Sequence, residues 1–157
     1  MIRRRFLKGT ATVLPVLLTG CLSTSQGPSS GTGKGCMGDW EPTVDADEPT
    51  LSPGEDTTIY VETRHIHGLQ LLLPIHTENN DLEFGDMSPS PPPDRQADVS
   101  PPEWYWTDCT DVEVEVPVRV HQDASPATID YTVHLIQSLD GSGGTQDRQY
   151  TITITNG

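Results

Sequence analysis

Between Asp111 and Val120 the chain reads Asp-Val-Glu-Val-Glu-Val-Pro-Val-Arg-Val. Five valines at every second position fit a β-strand: period two puts them all on one face, whereas a helix would scatter them around its circumference. Their β-branched side chains suit a pleated surface. Pro117, on the polar side, has no N–H to donate, which predicts an open strand edge at that point. An apolar face of this kind has to be covered by a second layer.

The same period recurs elsewhere. Thr58-Ile-Tyr-Val-Glu62 alternates after a Ser52-Pro-Gly-Glu55 turn, and Gly68-Leu-Gln-Leu-Leu-Leu73 is a second strand that stops at Pro74. Ile129, Tyr131, Val133 and Leu135 form one face of a further strand; the Gly-rich Asp140–Asp147 turn then leads to Tyr150, Ile152 and Ile154, predicting a hairpin. No stretch carries a helical period of sufficient length. The expected fold class is all-β, an antiparallel β-sandwich over residues 40–157. Six prolines between Pro89 and Pro102 mark a Pro-rich loop at about 86–103. The order of parts, a Leu-Ser-Pro-Gly-Glu turn, a Val-rich strand, a Ser-Pro-Ala approach to a Tyr-containing strand and a terminal hairpin, is similar to Ig-like domains of archaeal and bacterial surface proteins.

The N-terminus has a different character. Arg3-Arg4-Arg5-Phe6-Leu7-Lys8 precedes an apolar stretch, about Gly9 to Leu18, that is shorter than the roughly 20 residues a membrane-spanning helix needs. A basic head, a short apolar middle and small residues at its end form the layout of an export signal. Arg3, Arg4, Phe6, Leu7 and Lys8 resemble the twin-arginine (Tat) consensus, which implies export of an already folded protein. Leu18-Thr19-Gly20-Cys21 resembles a lipobox, which implies lipidation of the Cys21 thiol and removal of residues 1–20. Residues 21–39, rich in Ser and Gly, then form a flexible tether.

The charge is strongly one-sided, nine basic residues against 23 acidic. Four of the basic ones lie in the leader, so the mature chain keeps five and a net charge of −18. A body so acidic repels nucleic acid, which needs Lys and Arg clusters, and no nucleic-acid partner is expected. Dispersed carboxylates suit high salt, where repulsion is screened within about 3 Å at molar ionic strength. With the Tat-type lipobox, this composition resembles the secreted lipoproteins of haloarchaea. The resemblance implies a location on the extracytoplasmic face of the cell membrane, held by the lipid, with a protein or carbohydrate partner at the cell surface.

Once Cys21 is set aside, Cys36 and Cys109 remain, and in an exported protein such a pair is most simply a disulfide; a metal-thiolate site is the alternative. Arg64-His65-Ile66-His67 places two imidazoles at i and i+2, the same face of a regular strand, so His65 and His67 are candidate metal ligands and a small metal-binding or redox accessory protein is the alternative function. A blue-copper centre fails on the spacing around Cys109. Trp104-Tyr105-Trp106 beside the Pro-rich loop is a candidate recognition surface, with core packing as the competing role. No catalytic elbow, zinc-protease motif, phosphate loop or dinucleotide fingerprint occurs, so neither an enzyme nor a cofactor is expected.

Overall fold

The computed structural model describes Cys36 and residues 38–74, 81–140 and 143–156. The Tat-like residues Arg3, Arg4, Phe6, Leu7 and Lys8, the lipobox Cys21 and most of the tether lie outside these. Among the described residues nine strands form: β1 (Thr43–Ala46), β2 (Thr50–Leu51), β3 (Asp56–Leu72), β4 (Leu82–Phe84), β5 (Ser88–Ser90), β6 (Arg95–Ala97), β7 (Glu103–Val120), β8 (Ala127–Ile136) and β9 (Thr145–Ile154).

Two long strands organise everything else. The first part of β3 pairs with β1 and with the last part of β7, where Ile59, Val61 and Thr63 stand opposite Val116, Val114 and Val112. The last part of β3 pairs with β8 and with the first part of β7, Leu69 opposite both Leu135 and Trp104. Both strands therefore pass from one layer of the sandwich to the other, and the core fills the space between. It combines the five valines 112–120 with Leu69, Leu71, Tyr131, Val133, Leu135, Ile152 and Ile154; each such buried side chain contributes about 1.5–3 kcal/mol.

The passage between layers explains why two expected strands, 58–62 and 68–73, are one. The register slips twice between Thr63 and Gly68, and His65 sits at φ 56°, in the left-handed region that non-glycine residues seldom adopt. Its N–H donates to Asp111 Oδ1 (3.1 Å) and its carbonyl accepts from the Trp40 indole (2.7 Å), so both sides of the bend are held.

The expected hairpin of β8 and β9 is present, in continuous register from Ala127 opposite Ile154 to Ile136 opposite Thr145. The sheet is mixed rather than purely antiparallel, because β2 lies parallel to the end of β9. The Pro-rich segment is also not a bare loop. β4, β5 and β6 run antiparallel along β7, with Pro89 accommodated in an edge strand whose outer side requires no donor. Pro117 faces the break between β4 and β5, its carbonyl accepting from Gly85 N–H (2.9 Å). Its missing donor therefore points to the interrupted side, as an open edge requires.

Two tyrosines fasten the β1–β2 connection. Tyr131 and Tyr150 stand opposite each other on β8 and β9 and stack at 5.6 Å. Their hydroxyls donate to the carbonyls of Asp47 (2.6 Å) and Val44 (3.1 Å). Burial, foremost, raises the Tyr131 pKa, helped by the neighbouring Tyr150 and acidic groups. Above about pH 10 an unfolded tyrosine ionises while the folded one keeps its proton, so stability falls as pH rises. Tyr131→Phe should cost about 1 kcal/mol at neutral pH and soften that alkaline loss, read by denaturant unfolding at pH 7 and pH 11.

Candidate binding site

The bend is also where the chain enters the fold. Cys36 is bonded to Cys109 with Cα atoms 5.3 Å apart, its N–H donates to His67 Nε2 (3.1 Å), and its carbonyl accepts from Gln137 Nε2 (3.0 Å). Cys36, which falls within the expected tether, is thus tied to the strands on both sides of the bend.

This geometry reassigns the histidines. His67 is 3% exposed; with Nε2 accepting from Cys36, Nδ1 carries the proton and donates to the Trp106 carbonyl (2.9 Å). The imidazole links the entering chain to β7, with both nitrogens used. His65 is exposed, since its left-handed backbone breaks the alternation on which a shared face depends. The expected metal-ligand pair is therefore split between surface and interior.

Acidic residues around β1 and at the bend have local roles as well. Asp47 Oδ2 accepts from Tyr60 N–H (2.9 Å), and Glu48 Oε1 accepts from the N–H (3.0 Å) and hydroxyl (3.1 Å) of Thr151. With Asp111 at His65, these carboxylates satisfy backbone donors that the sheet leaves over.

The Trp-Tyr-Trp triplet divides according to the pleat of β7. Trp104 and Trp106 are 2% and 3% exposed and belong to the core, so of the two roles the sequence offers the triplet both tryptophans take core packing and neither lines the surface. The indole N–H of Trp106 reaches the carbonyls of Pro91 (3.1 Å) and Pro92 (3.2 Å) and pins the Pro-rich segment to β7. Tyr105 points to the opposite, outer face. It packs over Gly68, where a Cβ would stand 3.1 Å from its ring and 3.0 Å from Ile136, so glycine is what lets the two side chains close over the strand.

Around Tyr105 the outer face becomes a site. The Arg95 guanidinium carbon lies 4.4 Å from the ring centroid, and the phenol donates to Glu103 Oε1. Burial, then the Glu103 hydrogen bond, raises the Tyr105 pKa, so the phenol is neutral. Asp94 anchors Arg95 from the preceding position, its N–H donating to the Tyr105 carbonyl (2.9 Å) and its Oδ2 accepting from Thr107 N–H (2.7 Å). Asp94, Arg95, Tyr105, Trp106, Thr107 and Leu139 enclose a cleft of about 280 Å³. Of these, only Tyr105 and Trp106 stood out in the sequence. A signal that could have found the rest is Arg95, the one basic residue in the whole Pro-rich stretch.

No family model matches the sequence, and no curated protein matches it. Among solved structures the chain is similar to AvmM, which catalyses macrocyclization in alchivemycin A biosynthesis (9% identity, 74% of this chain and 89% of that one, TM-score 0.47). It is also similar to a type III cohesin module from the cell-surface anchoring scaffoldin ScaE of Ruminococcus flavefaciens (14%, 82% and 99%, 0.44). A third likeness is to the BIgI domain of the beta protein of S. agalactiae, in a structure bound to CEACAM1 (11%, 74% and 99%, 0.41). The fold of the described residues is an all-β sandwich with a mixed sheet.

Proposed function

We propose that this chain is an exported lipoprotein, held at the outer face of the cell membrane through Cys21, whose Ig-like domain binds a partner at the cell surface without catalysing a reaction. The observation that carries this reading is the disulfide between Cys36 and Cys109. A structural disulfide belongs to an oxidising compartment, and this one ties Cys36, near the end of the expected tether, to Cys109 on β7. The Tat-like Arg3-Arg4 pair and the lipobox-like Leu18–Cys21 supply a route and an anchor consistent with that compartment. The third cysteine is then free for lipid, and two acyl chains on it suffice for stable attachment where one would be marginal.

The test is fractionation of cells carrying Cys21→Ser. The expected outcome is loss of the protein from the membrane fraction, with either release of the domain or accumulation of uncut precursor. An unchanged membrane fraction and an unchanged N-terminal mass would refute lipid anchoring.

A further inference from the structure

We propose that the cleft between Arg95 and Leu139 binds a hexuronate residue of a surface glycan, the sugar carboxylate on the Arg95 guanidinium and a ring hydroxyl on Asp94. The proposal deepens the surface-binding reading above and relies on it for access to such a partner.

Arg95 is set apart by the placement of its guanidinium over an aromatic ring. The sequence from Cys36 onward holds four arginines, Arg64, Arg95, Arg119 and Arg148, against 23 carboxylates. Arg119 is paired with Asp56 (2.8 Å), and Arg148 donates to the Asp147 carbonyl (3.1 Å) and to Gln146 Oε1 (3.0 Å). Neither Arg64 nor Arg95 makes an ion pair or side-chain hydrogen bond among the described residues, and of the two it is Arg95 whose guanidinium is set over an aromatic ring, that of Tyr105. Such a placement restrains the head group while leaving N–H donors for a ligand, and the planar fork matches a carboxylate with two parallel hydrogen bonds.

The rest of the cleft suits a sugar better than a bare anion. Asp94 spends one oxygen on Thr107 N–H and keeps the other as an acceptor for a hydroxyl; Thr107 adds its own hydroxyl at the exposed rim. Leu139, 42% exposed, and the flank of Tyr105 provide an apolar wall for the C–H face of a pyranose. The volume, about 280 Å³, matches a single residue of a longer chain rather than a whole drug-sized ligand. Asp94 also disfavours a second anionic group nearby, selecting one carboxylate among hydroxyls.

The measurement is ligand-observed NMR on the purified full chain at 1 M KCl, where the Debye length of about 3 Å keeps the protein's net charge from repelling the probe. The probes are D-glucuronate, D-glucose and N-acetyl-L-glutamate amide. Glucuronate should bind at least about tenfold more tightly than either of the others, the scale of one bidentate charged contact. Arg95→Gln should abolish that preference, and Arg95→Lys, which keeps the charge and loses the fork, should abolish most of it. Because the Arg95 side chain is exposed, the melting temperature of both variants should stay unchanged. Equal binding of glucuronate and the glutamate derivative would assign the cleft to acidic peptides and overturn the sugar. Glucuronate binding that survives Arg95→Gln, or no binding by any probe, would overturn the site itself. Either failure leaves the Cys21→Ser fractionation result untouched, so a wrong ligand and a wrong location are told apart.

Discussion

Replacing Cys36 and Cys109 together by serine should lower the stability of the folded domain by about 4 kcal/mol, the chain-entropy contribution of a cross-link that closes a loop of this length. The two cysteines are 73 positions apart, so the bridge restrains well over half of the folded part in its unfolded state. For a domain of this size, a loss of that order lowers the melting temperature by about 15 °C. The bridge also sustains neighbours that do not contain sulfur. With Cys36 released, His67 loses the N–H that its Nε2 accepts, and the Gln137 amide loses the Cys36 carbonyl. The expected result is therefore a stability loss accompanied by local loosening at the bend, read as faster amide exchange of His67 and Gln137 than of Val114 or Val133. A double variant as stable as the parent, with both amides equally protected, would show that the bridge is incidental to the fold.

Much of this fold can be read from the chain because its strands are amphipathic. The valines of β7, Ile129 to Leu135 of β8 and Tyr150 to Ile154 of β9 alternate, and each landed on the face its period required. What could not be read are the places where period two is interrupted without ending a strand. At His65 the left-handed backbone turns β3 from one layer to the other, yet pairing resumes at the next residue, Ile66 opposite Thr110. Local pattern therefore sees two strands where there is one, and sees two histidines on one face where there are two faces. The Pro-rich stretch misleads for a complementary reason. Proline argues against a central strand, but β5 lies at an edge, where half of the backbone donors are idle in any case. The cleft around Arg95 depends on that misread segment, since only the antiparallel pairing of β6 with β7 sets Arg95 opposite Tyr105.

Stability should rise steeply with salt, by about 10 °C in melting temperature or more between 0.1 M and 2 M KCl. On the outer face of the layer containing β1, carboxylates stand directly opposite one another: Asp45 faces Glu62, and Glu62 faces Glu113 on the next strand. Tyr60 and Glu115 continue the row beside them. Directly opposed like charges on neighbouring strands cost about 0.2–1 kcal/mol per pair, and the 23 carboxylates facing four arginines from Cys36 onward add a diffuse repulsion. At 0.1 M salt the Debye length is about 10 Å, longer than the spacing between adjacent strands; at 1 M it is about 3 Å, shorter than that spacing. Salt therefore removes the repulsion while leaving the apolar core in place. Glu113→Gln separates this cause from a general salting-out of apolar surface. It should raise stability by about 1 kcal/mol at 0.1 M KCl, because it relieves Glu62, and change little at 2 M, where the repulsion is already screened. Denaturant unfolding of parent and variant at both salt concentrations measures this directly. A substitution effect of the same size and sign at low and high salt would show that the opposed carboxylates are not what makes the domain depend on ionic strength.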